Sequence, residues 1–173
     1  MITITVEDYN NVSQEFYDSV INSLQLHSLK CSCGHSACLS IHAYYQRGIA
    51  TPAGIIMLWI CRVKCSECGH THALLLSSMV PHSRVALCDQ VEVVQAVESG
   101  TDRNTITIRN PFISIHQVKL ISRRYRRHWK QRLLSERIPF LPLARLVKEC
   151  FDIYSTQFLQ IRRLPNVLFP AFT

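Results

Sequence analysis

"RVKCSECGHTHALLL", Arg62–Leu76, is the stretch that decides the fold. Two cysteines two residues apart, Cys65 and Cys68, are followed by Gly69, by two histidines, His70 and His72, and then by an apolar run. A structural zinc ion takes four Cys or His ligands at the corners of a tetrahedron, and a CxxC-Gly turn delivers two thiolates to one ion because glycine lets the backbone fold tightly around it. Upstream lies a second knuckle, "CSCGHSAC", Cys31–Cys38. The gap between the two suits a pair of strands, as in a zinc ribbon. This upstream knuckle departs from the usual spacing, since only one residue separates Cys31 from Cys33. The ligand set read from it is Cys31, Cys33, Cys65 and Cys68, with Cys38 as an alternative ligand beside Cys33; His35, His70 or His72 could also replace a thiolate. The expected cofactor is a structural Zn2+, whose binding free energy goes into folding a hairpin too small to hold itself together. A catalytic zinc needs an open coordination position and a neighbouring acid or base. Only Glu67 lies inside the knuckle, so no catalytic residue is expected and the chain does not read as an enzyme.

Working outward, "LSIHAYYQ" and "GIIMLWICR" read as strands joined at "TPAG", Thr51–Gly54, and "HALLL" supplies a third. Before the first knuckle, "ITITV" alternates like a short strand, and Phe16, Val20 and Leu24 follow a Ser13 cap at helical spacing. After "VPHS", Val80–Ser83, the period lengthens: Leu87, Val91, Val94 and Val97 mark a helix that Gly100 ends. "TDRNTITIRNP" is open to two readings, a strand by its alternating Thr and Ile or a short helix by its position. Ser114 caps a long helix over 115–134, and a last amphipathic helix is expected over 143–162, ahead of the apolar tail "LPNVLFPAFT". The expected class is α+β: a small zinc β-ribbon followed by an all-α, helix-turn-helix-like region. The expected units are an N-terminal strand and helix at 1–30, the ribbon at 31–80, a helix-turn-helix-like DNA-binding region at 84–137, and a C-terminal helix and tail at 138–173.

The net charge of +7 is unevenly distributed. Residues 1–100 carry 5 Lys/Arg against 8 Asp/Glu, whereas residues 101–173 carry 14 against 4. The basic half therefore points to a polyanionic partner. The N-terminus lacks a basic leader with an apolar core, and the longest apolar stretch, "GIIMLWIC", stops at Arg62. Neither export nor a membrane partner is expected, and the chain reads as cytoplasmic, at the nucleoid. In a reducing compartment clustered cysteines bind metal or stay free. Cys61, Cys88 and Cys150, outside both clusters, read as buried small apolar residues.

On a helical wheel of 115–134, Val118, Ile121, Tyr125, Trp129 and Leu133 share an arc of about 120 degrees, which marks a core face. Lys119, Arg123, Arg124, Arg126, Arg127 and Lys130 fall on the opposite side, with Leu120 and Arg132 as exceptions. No acid is interleaved among these cations, unlike a merely solvated surface, where mixed signs relieve self-repulsion. Such a face suits phosphates, and a helix behind a turn suits the major groove of double-stranded DNA. His116, Gln117 and Lys119, early in the helix, are the expected base contacts; the later cluster of Arg123, Arg124, Arg126, Arg127 and Lys130 is expected on the backbone.

"CSCGH", "CSECGHTHALLLSSMVPHSR" and "RRYRRHWKQRLLSE", covering roughly residues 31–137, together resemble an uncharacterised bacterial family associated with mobile elements. That family joins a zinc ribbon to a helix-turn-helix and is similar to the DNA-binding N-terminal part of insertion-sequence transposases. The resemblance implies DNA binding in the service of a mobile element, with a transposase as a further partner and a homodimer as one arrangement. A transposase core needs three carboxylates around two metal ions. The acids after Gly100 are Asp102, Glu136, Glu149 and Asp152, set among expected helices, so a catalytic part is not expected here. The alternative reading is an adaptor that docks a transposase or polymerase through the ribbon and the C-terminal tail.

Overall fold

The computed structural model describes residues 1–161 and 167–170. The elements are, in order, β1 (Ile2–Thr5), α1 (Gln14–Ser23), β2 (Leu39–Thr51), β3 (Gly54–Cys65), β4 (Thr71–Leu76), α2 (Leu87–Glu98), α3 (Arg103–Arg109), α4 (Ile115–Arg124), α5 (Lys130–Ser135), α6 (Leu143–Tyr154) and β5 (Val167–Pro170). A π-helical turn, Tyr125–Trp129, joins α4 to α5 without a break. The class is α+β, with the sheet built mainly from the first half and the helices mainly from the second.

The strands lie in the order β2-β3-β4-β1-β5. β2 and β3 form a long antiparallel hairpin turning at Thr51–Gly54, with a bulge between Ile41 and Ala43. β4 pairs with the knuckle end of β3 over Arg62–Lys64, and β1 then lies parallel to β4 and to β5. The first thirty residues thus contribute a strand to the same sheet as the ribbon. β1 lies inside the sheet, between β4 and β5, because "ITIT" is buried on both sides, with Ile2, Thr3 and Ile4 each 1% exposed or less. The Ser13 hydroxyl caps α1 by accepting from the Phe16 N–H, and α1 closes the rest of this core with Tyr17, Val20 and Leu24. Tyr17 also fastens two strands: its hydroxyl donates to the Leu74 carbonyl and accepts from the Cys61 N–H.

A second apolar cluster belongs to the helices, where Val91 and Val94 of α2, Ile106 of α3, Val118 and Ile121 of α4, Trp129, Leu133 and Val147 pack together. The Thr/Ile alternation of residues 105–108 does not make a strand. The Asp102 carboxylate accepts from the Asn104 and Thr105 N–H groups and so starts a helix, and only Ile106 of that stretch is buried. Trp129 is fully buried, its ring set edge-on to Tyr154 and Phe158 at 5.8 and 5.3 Å, which fixes the basic helix against the C-terminal segment. The last helix is shorter than its apolar stripe suggests: Ser155 takes a left-handed conformation (φ 50) and ends it at Tyr154. Phe158 still reaches the core, from a loop. Of the apolar tail, only the β5 backbone lies within the described residues.

Ser77 joins the two halves. Its N–H donates to the Ile4 carbonyl, its hydroxyl accepts from the Val6 N–H and donates to the Tyr9 hydroxyl, and its carbonyl accepts from the Gln157 side chain.

Candidate metal centre and nucleic-acid interface

The two knuckles are matching turns. In the first, the Gly34 N–H donates to the Cys31 carbonyl and the Cys31 N–H to the His35 carbonyl; in the second, the Gly69 N–H donates to the Cys65 carbonyl and the Cys65 N–H to the His70 carbonyl. Both glycines sit at positive φ, 95 and 72, where a side chain would be strained. The Ser66 N–H reaches across to the Cys38 carbonyl and holds one knuckle against the other.

This pairing brings together Cys31, Cys33, Cys65 and Cys68, whose sulfurs all lie within 4.8 Å of one another and could hold a metal ion. Cys31 Sγ is 3.6 Å from Cys68 Sγ, and Cys33 Sγ is 3.8 Å from Cys65 Sγ. A tetrahedral zinc with Zn–S bonds of 2.3 Å requires S···S separations of about 3.8 Å, so the donor set fits that ion in both type and span. Cys65 is a ready thiolate: the Cys68 N–H pulls it down to about 6 against the opposing effect of burial. Cys38 stands outside the four. Its thiol donates to the His35 carbonyl at 3.3 Å, and burial first, then the neighbouring Cys65, push it up to about 11.

His72 stands beside the four sulfurs. It is 5% exposed, with Nε2 3.2 Å from Cys31 Sγ and Nδ1 2.9 Å from the Met1 amino group. Burial pushes it down to about 4, so the ring is neutral. The ring thus lies between the Met1 amino group and the sulfur of Cys31, one of the four that could hold a metal ion. The strand period gives this role away only in part: His72 alternates with Thr71 and Ala73 on β4, so its side chain turns inward. His35 stays exposed beside Cys33, at 3.5 Å, and His70 is exposed.

The basic helix is positioned by α2 and α3, which pack beneath it. Ser114 and Gln117 form a capping box at its start: the Ser114 hydroxyl accepts from the Gln117 N–H, and Gln117 Oε1 accepts from the Ser114 N–H at 2.7 Å. Gln117, one of the expected base contacts, thus has its acceptor oxygen engaged at its own helix end. His116, Lys119, Arg123, Arg126 and Arg127 are exposed. Among the described residues no acid lies within ion-pair range of Arg123, Arg126 or Arg127. Two of the expected contacts stand apart from that row. Lys130 pairs with Glu98 at 2.7 Å. Arg124, at the margin of the polar arc, is half-buried in a recess with Pro81, His82 and Leu159, and its Nε is buried there without a hydrogen-bond partner among the described residues. Arg132, an exception on the wheel, lies over the rings of Trp129 and Tyr154 at 5.3 and 5.2 Å, so its place on the apolar arc is a cation–π contact.

Fold and site together define an α+β chain in which a four-cysteine cluster on a β-ribbon is followed by helices bearing a one-sided basic face. In comparisons with known proteins, residues 30–110 are similar to a family described as a domain of unknown function (DUF6431). No curated protein and no solved structure matches the chain. The matched segment begins one residue before Cys31 and ends just after α3. It thus takes in the ribbon with α2 and α3 and stops short of α4.

Proposed function

We propose that this chain is a zinc-stabilised protein that binds double-stranded DNA, acting as an accessory or regulatory factor of a mobile element with no turnover of its own. The observation that carries the reading is the row Lys119, Arg123, Arg126 and Arg127, exposed on one side of a helix whose other side is fixed by Val118, Ile121, Tyr125 and Trp129. Supporting it, α2 and α3 with the turn at 110–114 resemble a helix-turn-helix, with α4 in the place of the reading helix. His116 and Lys119 lie early on that helix, where side chains reach base edges, and the three arginines follow further along it, where they would meet phosphates. The four thiolates hold a zinc ion that keeps the ribbon closed. Among the described residues no helix is long and apolar enough to cross a membrane.

The test is a titration of duplex DNA at several salt concentrations. Four cations displacing counterions give a log–log slope of about −3.6. Arg123→Ala, Arg126→Ala and Arg127→Ala together should bring the slope close to −1 while leaving the thermal transition in place. A flat salt response, or affinity unchanged in the triple variant, overturns the proposal.

A further inference from the structure

The distal half of the β2–β3 hairpin has one covered face and one open face. Ile49, Leu58 and Ile60 are buried. Ile55, Met57 and Trp59, which alternate with them along β3, are 60%, 50% and 51% exposed. Their cross-strand partners on β2 are Ala50, Gly48 and Gln46, and further along the same face come Tyr44 and Ile41, each 53% exposed. Ile55, Met57 and Trp59 therefore form an open apolar patch at the distal end, and Tyr44 and Ile41 continue it along β2 beside Cys61 and Val63, which are buried. Among the described residues, the other large exposed apolar ones, Ile108, Leu134, Leu141, Ile153 and Ile161, are scattered over separate helices and loops.

Gly48 belongs to this arrangement. A Cβ at that position would stand 3.0 Å from Ile55 Cγ2 and 3.2 Å from Met57 Sδ, so its absence lets those two side chains lie across the neighbouring strand and flatten the face. The edge of β3 beyond β4 is closed by α1: Gln14 Oε1 accepts from the Trp59 N–H at 2.7 Å, while its Nε2 donates to the Trp59 carbonyl. The face is thus held rigid while its side chains stay open to water. Arg47, the one formally charged residue of β2, lies on the covered side, where its guanidinium donates to the Val80 and Ser83 carbonyls.

We propose that this face is the interface of a homodimer, in which the hairpins of two copies pack face to face across a two-fold axis. An isologous contact needs a patch that complements itself. A flat apolar β face with no charge meets that condition, since two copies bring no like charges together, and it is the packing of a two-layer sheet sandwich. The exposed parts of the five side chains amount to roughly 600 Å² per copy, or about 1,200 Å² for the pair, which lies at the lower end of what a specific interface buries. That area suits a dimer that forms at micromolar concentration. Such a dimer carries two copies of the basic helix. The proposal does not rest on DNA binding, so the two can fail separately.

The experiment is sedimentation velocity of the full chain with zinc bound, from about 1 to about 100 µM, a range that brackets a micromolar dissociation constant. The expected result is a monomer–dimer equilibrium. The double variant Met57→Lys, Trp59→Lys should be monomeric throughout. Ile55→Thr with Met57→Thr, which keeps strand-forming residues on the hairpin, should weaken the dimer at least tenfold with an unchanged thermal transition. A wild-type chain that stays monomeric at the highest concentration, or a dimer that withstands the threonine pair, overturns the proposal.

Discussion

Asp89 shows at the scale of one residue how burial sets chemistry in this chain. It lies half-buried in the first turn of α2, where burial first and the Glu92 carboxylate second push its carboxyl up to about 6, against the favourable field of the helix start. The folded state therefore keeps a proton that the unfolded chain releases near pH 4. Stability contributed by this group is present below that pH and is lost as pH rises through about 6. At pH 7 the charged carboxylate is a net cost, of about 1 kcal/mol once its partial exposure to solvent is allowed for. Asp89→Asn should accordingly stabilise the protein at pH 7 and match the wild type at pH 4. Denaturant unfolding of the two proteins at both values checks this, and any effect of acid on the cysteine knuckles cancels because both carry the same ones. A variant that gains nothing at pH 7 refutes the assignment of the raised carboxyl. Much at this scale was legible in the sequence, because side chains that cap or turn the backbone act locally: the Ser13 and Ser114 caps and the glycines of the knuckles follow from three or four neighbouring letters. The capping contact of Gln117 was less so, since the letters alone do not say whether a glutamine three residues after a cap folds back on it, as this one does in its 2.7 Å contact with the Ser114 N–H.

Among the elements, the hairpin and α2 have the limits that their patterns suggest, while α6 does not, and the difference is physical. Leu146, Cys150, Tyr154, Phe158 and Ile161 continue one stripe at helical spacing, yet the helix stops at Tyr154. A stripe records which residues seek the core. It does not record whether they reach it from a helix or from a loop. Here the Ser155 N–H donates to the Phe151 carbonyl, its backbone turns left-handed, and Phe158 enters the core from beyond the turn. A non-glycine residue in that conformation costs about 1 kcal/mol against glycine. Ser155→Gly should therefore raise the thermal midpoint by a few degrees, about 2–4 °C for a chain of this size, as differential scanning would register. A lowered midpoint would mean that the helix end is not built this way. The basic helix carries a similar lesson. Its π turn, in which the Lys130 N–H donates to the Tyr125 carbonyl, adds one residue to a turn at the centre of the arginine cluster. Nothing in the letters marks it, because it arises from keeping both Tyr125 and Trp129 buried against a distant segment.

For the whole molecule, the decisive fact is that the ribbon does not stand alone. The sequence reading makes zinc the support of a hairpin too small for a core. In the structure β2, β3 and β4 share a cluster with Ile2 and Ile4 of β1 and with Tyr17, Val20 and Leu24 of α1, a long-range pairing that no local pattern announces. A metal held by the four cysteines would then act at one end. Cys31, Cys33, Cys65 and Cys68, which could hold an ion, lie where the knuckles meet, whereas β4 beyond the knuckle is held by β1 and by Ser77, which bonds to Ile4, Val6, Tyr9 and Gln157. Stripping the metal should free the turns at 31–38 and 65–72 and leave the paired part of β1 and β4, as well as the helical core, folded. Amide hydrogen exchange with and without a chelator resolves this. Protection should fall by at least tenfold, about 1.4 kcal/mol of local stability, in the two knuckles, and remain within about twofold for Leu74–Leu76 and for Val118–Ile121. Protection lost together in all of these segments would show that the metal supports the entire fold. Unchanged protection in the knuckles would show that the four sulfurs contribute no structural cross-link.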